Sequence, residues 1–223
     1  MIKQQGTDWG QYPIQIINGL ITTERGVLES STRKGLQQLA NTMVDLGYTS
    51  CVEIGAYAGE GTEIFAEVFD TVTVIDPWKN GYDKEDLSSE MYDMELVYKS
   101  YCKRTEKFDN IIEYDTSDQC IKDTPDSSID FVYIDAIHKC GPVKDELWKW
   151  LRKITPDGAI GGHDFTGYWG EVVDAIIDTI GLPEYIFEDK SWVKTKETIY
   201  CQENILNPQI VSAYLAGNGK RPR

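Results

Sequence analysis

Five short runs of β-branched and apolar residues, each separated from the next by a stretch that fits a helix, constrain this chain more than any other feature. The runs are residues 50–55, 71–76, 110–114, 129–135 and 159–162. Helical spacing is clearest at 32–46, where Leu36, Leu39, Ala40, Met43, Val44 and Leu46 recur on one face before Gly47. Helices are also expected at about 62–69, 90–104, 143–154 and 172–180. Pro156-Asp157-Gly158 reads as a turn into the fifth run. Residues 184–188 and 191–200 alternate like an antiparallel hairpin around Asp189-Lys190. Strands that alternate with helices imply a doubly wound, mostly parallel α/β sheet covered on both faces. The terminal hairpin makes it seven-stranded, with an antiparallel C-terminal strand pair. Three parts are expected: an N-terminal arm or cap at 1–31, one domain at 32–205 and a C-terminal tail at 206–223, loose from 217. Trp9, Tyr12, Pro13 and the run Ile14-Gln15-Ile16-Ile17 suggest a short helix or an ordered arm at the start.

Composition narrows the partners. The 223 residues carry 22 Lys and Arg against 37 Asp and Glu, a net charge of −15. Such a chain lacks the basic footprint that a phosphate backbone or an anionic membrane surface requires, so neither nucleic acid nor membrane is expected as a partner. No run of about 18 apolar residues reads as a membrane span, and the first residues lack the apolar core of a secretory signal. The five cysteines, Cys51, Cys102, Cys120, Cys140 and Cys201, are scattered and form no C-x-x-C pair. Reduced thiols in a cytoplasmic protein follow.

In doubly wound sheets ligands bind beyond the carboxyl ends of the strands, and there this chain concentrates its chemistry. Val52-Glu53-Ile54-Gly55-Ala56-Tyr57-Ala58-Gly59-Glu60-Gly61-Thr62 runs from a strand through a glycine turn into a helix. Glycines permit the tight turn and the close approach of a ligand. Their spacing is G-x-x-x-G-x-G rather than the dinucleotide G-x-G-x-x-G, and Glu60 stands where a diphosphate would come close. Asp76 ends the next strand 21 residues after Gly55, where a carboxylate can accept both hydroxyls of a ribose. Trp78 follows and suits stacking on adenine. Asp115 and Thr116, after the third strand, can meet an adenine edge or cap a helix. The two histidines of the chain, His138 and His163, each follow a strand and lie near an aspartate, Asp135 and Asp164. Oxygen and imidazole donors around an open position suit Mg²⁺, Mn²⁺ or another divalent ion.

Over about residues 33–200 these motifs resemble a class I S-adenosylmethionine-dependent methyltransferase. The stretch from Glu53 to Thr62 is similar to that family's first motif, and Asp76 to its ribose-binding acid. Phe131-Val-Tyr-Ile-Asp135-Ala-Ile-His138, Pro156-Asp157-Gly158, Gly161-Gly162-His163-Asp164 and Ser191-Trp192-Val193-Lys194 resemble its small-molecule and sugar O-methyltransferase and cephalosporin hydroxylase-like subgroup. The resemblance implies a Rossmann-like sheet and S-adenosyl-L-methionine as cofactor. It implies cofactor contacts from Glu53, Gly55, Ala56, Tyr57, Gly59, Gly61, Thr62, Asp76, Trp78, Asp115, Thr116 and Asp135. Likeness to catechol-type O-methyltransferases implies a divalent metal at Asp135, His163 and Asp164. It also implies a catalytic base at His138, where that group has lysine, so that Asp135 and His138 form the catalytic pair. That group carries acid-Asn where this chain has His163-Asp164.

The expected reaction is metal-assisted O-methylation of a small hydroxylated acceptor, sugar-like or natural-product-like. Alternatives are metal-independent transfer to oxygen or nitrogen, with either histidine as base, a nicotinamide-dependent oxidoreductase, and a non-enzymatic binding module. The glycine spacing disfavours the nicotinamide reading. Residues 1–30 and 79–107, with Tyr82, Tyr92, Tyr98 and Tyr101, are the expected acceptor-binding parts. The acidic residues between 83 and 93 read as a solvated face. Related folds often pair through the N-terminal arm, which leaves a homodimer open.

Overall fold

A computed structural model describes residues 14–84, 86 and 88–200. The expected features at Trp9, Tyr12, Pro13, Cys201 and the tail 206–223 lie outside the described residues. The described residues open with a two-stranded ribbon, β1 (Gln15–Ile17) and β2 (Leu20–Thr22), where the sequence suggested a short helix or an ordered arm. Asn18-Gly19 makes the turn, with φ of 53° and 82°. Asn and Gly tolerate this left-handed pair, and it matches the twist of a hairpin. A single 3-10 turn (Glu24–Gly26) leads to α1 (Ser31–Asp45), capped by the Ser30 side chain, which accepts from the Arg33 amide.

The main domain follows as β3 (Ser50–Ile54), α2 (Glu60–Ala66), β4 (Thr71–Ile75), α3 (Ser88–Met91), α4 (Met94–Thr105), β5 (Ile111–Tyr114), α5 (Ser117–Asp123), β6 (Ile129–Ile134), α6 (Cys140–Leu151), β7 (Ile154–Gly162), α7 (Gly170–Ile180), β8 (Tyr185–Ile186), β9 (Trp192–Thr195) and α8 (Lys196–Tyr200). Seven strands form one sheet in the order β5-β4-β3-β6-β7-β9-β8. The first five are parallel and β9 pairs antiparallel with both β7 and β8. This is the doubly wound sheet with an antiparallel end that the sequence implied. The order reverses between β3 and β6, which makes the switch-point crevice where such sheets take ligands.

Each central strand faces apolar helices on both sides, so its residues alternate between two cores. In β6, Val132 and Ile134 pack with Leu147, Trp150, Val173 and Ile176 of α6 and α7. Phe131 and Tyr133 pack on the other face with Leu36, Leu39, Met43, Phe65 and Tyr101. Burial on both faces explains why these strands read as continuous apolar runs. Two boundaries differ from expectation. Pro156-Asp157-Gly158 lies inside β7 as a bulge, because the register steps from Ile129↔Ile154 to Phe131↔Ala159. Residues 196–200 are helical, not strand, and Ile199 packs on the α6–α7 core. Cys51, Cys102, Cys120 and Cys140 are free thiols. Among the described residues no helix is long and apolar enough to cross a membrane.

Candidate active site

The glycine turn after β3 is built for close backbone contact. Gly55 has φ +90°, and a side chain there would run into the backbone carbonyl of Asp135. Gly59 has φ +84° and precedes α2. Tyr57, Trp78 and Asp164 also carry positive φ, at 47°, 42° and 65°. These left-handed backbones at non-glycine residues lie where strands end, a place where functional sites store strain.

Asp76 braces this turn. Its Oδ2 accepts from the amides of Ala56 (3.0 Å) and Tyr57 (2.9 Å), and its Oδ1 from the amide of Trp78 (2.8 Å). Burial raises the pKa of Asp76, and these three amides oppose the rise. Trp78 Nε1 returns a bond to the Tyr57 carbonyl at 2.8 Å, and its ring lies against Tyr98 and Tyr101, with centroids 4.6 and 4.7 Å away. A cavity of about 630 Å³ opens beside it, lined by Pro77, Trp78, Tyr98, Glu113 and Asp115 among others. Thr116 is outside that lining and caps α5, accepting from the Gln119 amide. Glu53, fully buried beneath the turn, shares a close hydrogen bond with the Thr62 hydroxyl. Burial pushes its pKa up to about 8, against the pull of Thr62 and Arg25.

Beyond β6 and β7 the second cluster assembles. His138 Nε2 lies 2.9 Å from Asp164 Oδ2, and His163 Nδ1 lies 3.0 Å from Asp164 Oδ1 and 4.0 Å from Asp135 Oδ1. The His138 ring stacks on Trp169, with centroids 3.9 Å apart and planes 12° apart. Burial lowers both histidines, but the surrounding carboxylates win: Asp164, Asp86 and Asp135 raise His138 to about 9, and Asp164 and Asp135 raise His163 to about 9. Burial raises Asp164, yet the two rings hold it well below the usual carboxylate range. His163 Nε2, His138 Nδ1 and the Tyr57 hydroxyl are buried without hydrogen-bond partners.

One oxygen each of Asp135 and Asp164 and one nitrogen of His138 lie within 4.8 Å of one another. This mixed oxygen and imidazole set fits a divalent ion. The sequence reading put His163 in that set; the donors grouped here include His138, and His163 Nδ1 faces both carboxylates. The acidic run from 83 onward is corrected in part. Asp83 is buried, accepts from the His138 amide at 3.1 Å and lies 3.4 Å from His138 Nδ1, and Asp86 lies 4.0 Å from the same nitrogen. Tertiary packing sets Asp83 and Asp86 against His138 and overrides the solvated face that their charge suggested.

Sequence reasoning missed one residue outright. Arg25 reaches from the turn after β2 and pairs through Nη1 with Asp135 Oδ2 at 2.8 Å. Its segment is held down by Thr23, whose amide (2.8 Å) and hydroxyl both bond the Glu60 carboxylate. Arg104 also reaches Glu60, at 3.3 Å. The Asn18-Gly19 dipeptide announced the ribbon that carries Arg25, but nothing local announced its reach across 110 residues to Asp135.

A family model described as a methyltransferase domain matches residues 52–165, just over half of the chain. No curated protein matches the chain. Among solved structures, the O-methyltransferase NovP aligns with a TM-score of 0.57 at 16% identity, over 74% of this chain and 80% of that one. The TDP-rhamnose 3′-O-methyltransferase of calicheamicin biosynthesis aligns with a TM-score of 0.51 at 13% identity, covering 73% of this chain and 79% of that one. A cofactor-bound protein from MTB aligns with a TM-score of 0.51 at 11% identity, over 77% and 83% of the two chains. At such identities the likeness is one of fold.

Proposed function

The chain belongs to the methyltransferase-domain family, as a class I S-adenosylmethionine-dependent enzyme, and from that premise we propose that it methylates a hydroxyl oxygen of a small molecule with a divalent ion assisting. Family membership sets aside the nicotinamide and non-enzymatic readings. The observation that carries the proposal is the meeting of Asp135, His138 and Asp164 beyond β6 and β7, beside the glycine turn. The donor's adenosine belongs to the Asp76 side. Asp76 Oδ1 carries a single amide bond and keeps a lone pair for a ribose hydroxyl, and Trp78 and Asp115 line the space for the base. The sulfonium end then points along the turn toward Asp135, and the acceptor enters between the 79–93 segment, Trp169 and the Asp135–Asp164 cluster.

The transfer is an in-line displacement. A bond forms between acceptor oxygen and methyl carbon as the sulfur–methyl bond breaks, the sulfonium becomes a neutral thioether, and the hydroxyl proton leaves. Alignment of the two reactants supplies much of the rate. A divalent ion held by Asp135 and Asp164 would lower the acceptor's pKa and offset the carboxylates that keep His138 protonated. In this reading His138 stays outside the ion's ligand set, and its imidazole receives the proton once the ring is neutral. Trp169 stacks on the imidazole, and Asp83 and Asp86 face its Nδ1. His163 sits behind Asp164 and stabilises its charge.

A second reading, transfer without a metal, is favoured by the Arg25–Asp135 ion pair, which already neutralises one of the proposed ligands. Calorimetry separates the cases. Purified protein titrated with S-adenosylhomocysteine should bind, and Asp76→Asn should weaken that binding at least about tenfold, the worth of one lost charged hydrogen bond. Absence of binding overturns the donor assignment. A distinct Mn²⁺ or Mg²⁺ heat that disappears in Asp135→Asn supports the metal; activity undiminished after chelation favours the metal-independent reading.

A further inference from the structure

Residues 20–26 cross the mouth of the glycine turn as a strap, tied at several points. The Ile21 amide donates to Ser100 Oγ at 2.9 Å, the Thr23 amide donates to Glu60 Oε1 at 2.8 Å, and Arg33 Nη1 reaches the Arg25 carbonyl at 3.4 Å. The strap delivers Arg25 to Asp135. Both side chains are largely buried, 13% and 17% exposed, and Arg25 Nε is buried without a partner. Asp164 is meanwhile paired with His138 and His163. Every carboxylate of the candidate metal group therefore already has a positive partner from the chain itself. At Asp135 that partner is a guanidinium that never loses its charge.

We infer that Arg25 is the resident cation of Asp135 and competes there with a divalent ion, so that ion uptake requires Arg25 and the strap to move off the glycine turn. The inference rests on the metal-assisted reading above. Asp135 Oδ2 is committed to Arg25, and a doubly charged ion on Oδ1 would stand within a few ångströms of the guanidinium. In a partly dry site that repulsion is weakly screened. Because Thr23 of the strap holds Glu60, in the first turn of α2, displacement of Arg25 also loosens the cover of the donor turn. Ion binding and opening of the donor site become one coupled equilibrium, and the coupling works in both directions.

The test uses the full chain and Mn²⁺ alone, with free Mn²⁺ counted by its electron paramagnetic resonance signal. Arg25→Gln keeps the bulk and removes the charge; its apparent Mn²⁺ dissociation constant should fall at least about tenfold below that of the native chain. Thr23→Val removes the hydroxyl half of the strap's hold on Glu60 and keeps the guanidinium; a smaller fall in the same direction is expected. In the native chain, saturating Mn²⁺ should speed hydrogen exchange at the Ile21 and Thr23 amides, whose acceptors are strap anchors. An Arg25→Gln protein that is folded and binds Mn²⁺ no more tightly than the native chain overturns the inference. So does unchanged amide exchange under saturation. If Arg25→Gln does not fold, an unchanged affinity in Thr23→Val serves the same purpose. If neither native chain nor variants bind Mn²⁺, the inference falls together with the metal, while S-adenosylhomocysteine binding still tests the donor site independently.

Discussion

Replacing Asp164 with Asn should return the two histidines toward the ordinary imidazole range. In the native chain one carboxylate holds two rings, with His138 Nε2 at 2.9 Å from one oxygen and His163 Nδ1 at 3.0 Å from the other. Burial lowers each ring, the carboxylates raise it further, and both stand at about 9. The rise from an ordinary value near 6.5, at about 1.4 kcal/mol per pH unit, makes the preference for each charged ring on the order of 3 kcal/mol. The two preferences share Asp164 and do not add. Asn keeps the volume and an acceptor oxygen but loses the charge, so each histidine should drop by at least about one pH unit. The sign follows from proton linkage. The folded rings hold protons more tightly than the unfolded ones, so their stabilisation is complete below pH ~6.5 and is lost as pH rises toward about 9. The native protein should lose stability across that interval, and Asp164→Asn should show a flatter profile. Imidazole carbon–proton NMR reads this directly, because the chain has two histidines and gives two signals; urea unfolding at either end of the interval gives the stability. A native histidine that titrates at or below 6.5, or an Asp164→Asn protein in which both stay near 9, refutes the reasoning.

Three further outcomes follow from the same structure. Gly55→Ala places a methyl group against the Asp135 carbonyl at a φ of +90°; it should cost about 2 kcal/mol or more and weaken S-adenosylhomocysteine binding, read by thermal melting and calorimetry. Asp130→Ala removes an acceptor of four bonds, from the amides and hydroxyls of Thr49 and Ser50 at 2.9–3.1 Å. It sits at the start of β6, at the opposite end of the strand from the site, so urea unfolding should show a loss of about 2 kcal/mol while the folded variant keeps its donor affinity. If transfer proceeds without a metal, its rate should climb with pH toward about 9 as His138 gives up its proton; a metal-free rate that is flat or falling between neutral pH and about 9 removes His138 from the role of base.

Local patterning was enough to read the sheet and to bring the candidate residues to its strand ends. Runs such as Thr71–Ile75 and Ile129–Ile134 are mostly β-branched or apolar because helices bury most of both faces, and that pattern needs no knowledge of partners. The residues at strand ends, Gly55, Asp76, Asp135 and His163-Asp164, were legible for the same reason: they follow each apolar run directly, and the topology of a doubly wound sheet puts those ends together. Short elements were less legible. Residues 196–200 alternate well enough for a strand, yet Ile199 gains more by packing as a helix on the α6–α7 core. The electrical state of the site emerged when distant segments packed together. Charge at a distance depends on separation and burial, not on neighbours in sequence. Asp83 and Asp86 looked like a wet face until the 79–93 segment folded against His138. Arg25 had no periodic or motif signal, and it became the partner of Asp135 because a two-stranded ribbon and its anchor at Glu60 carried it there.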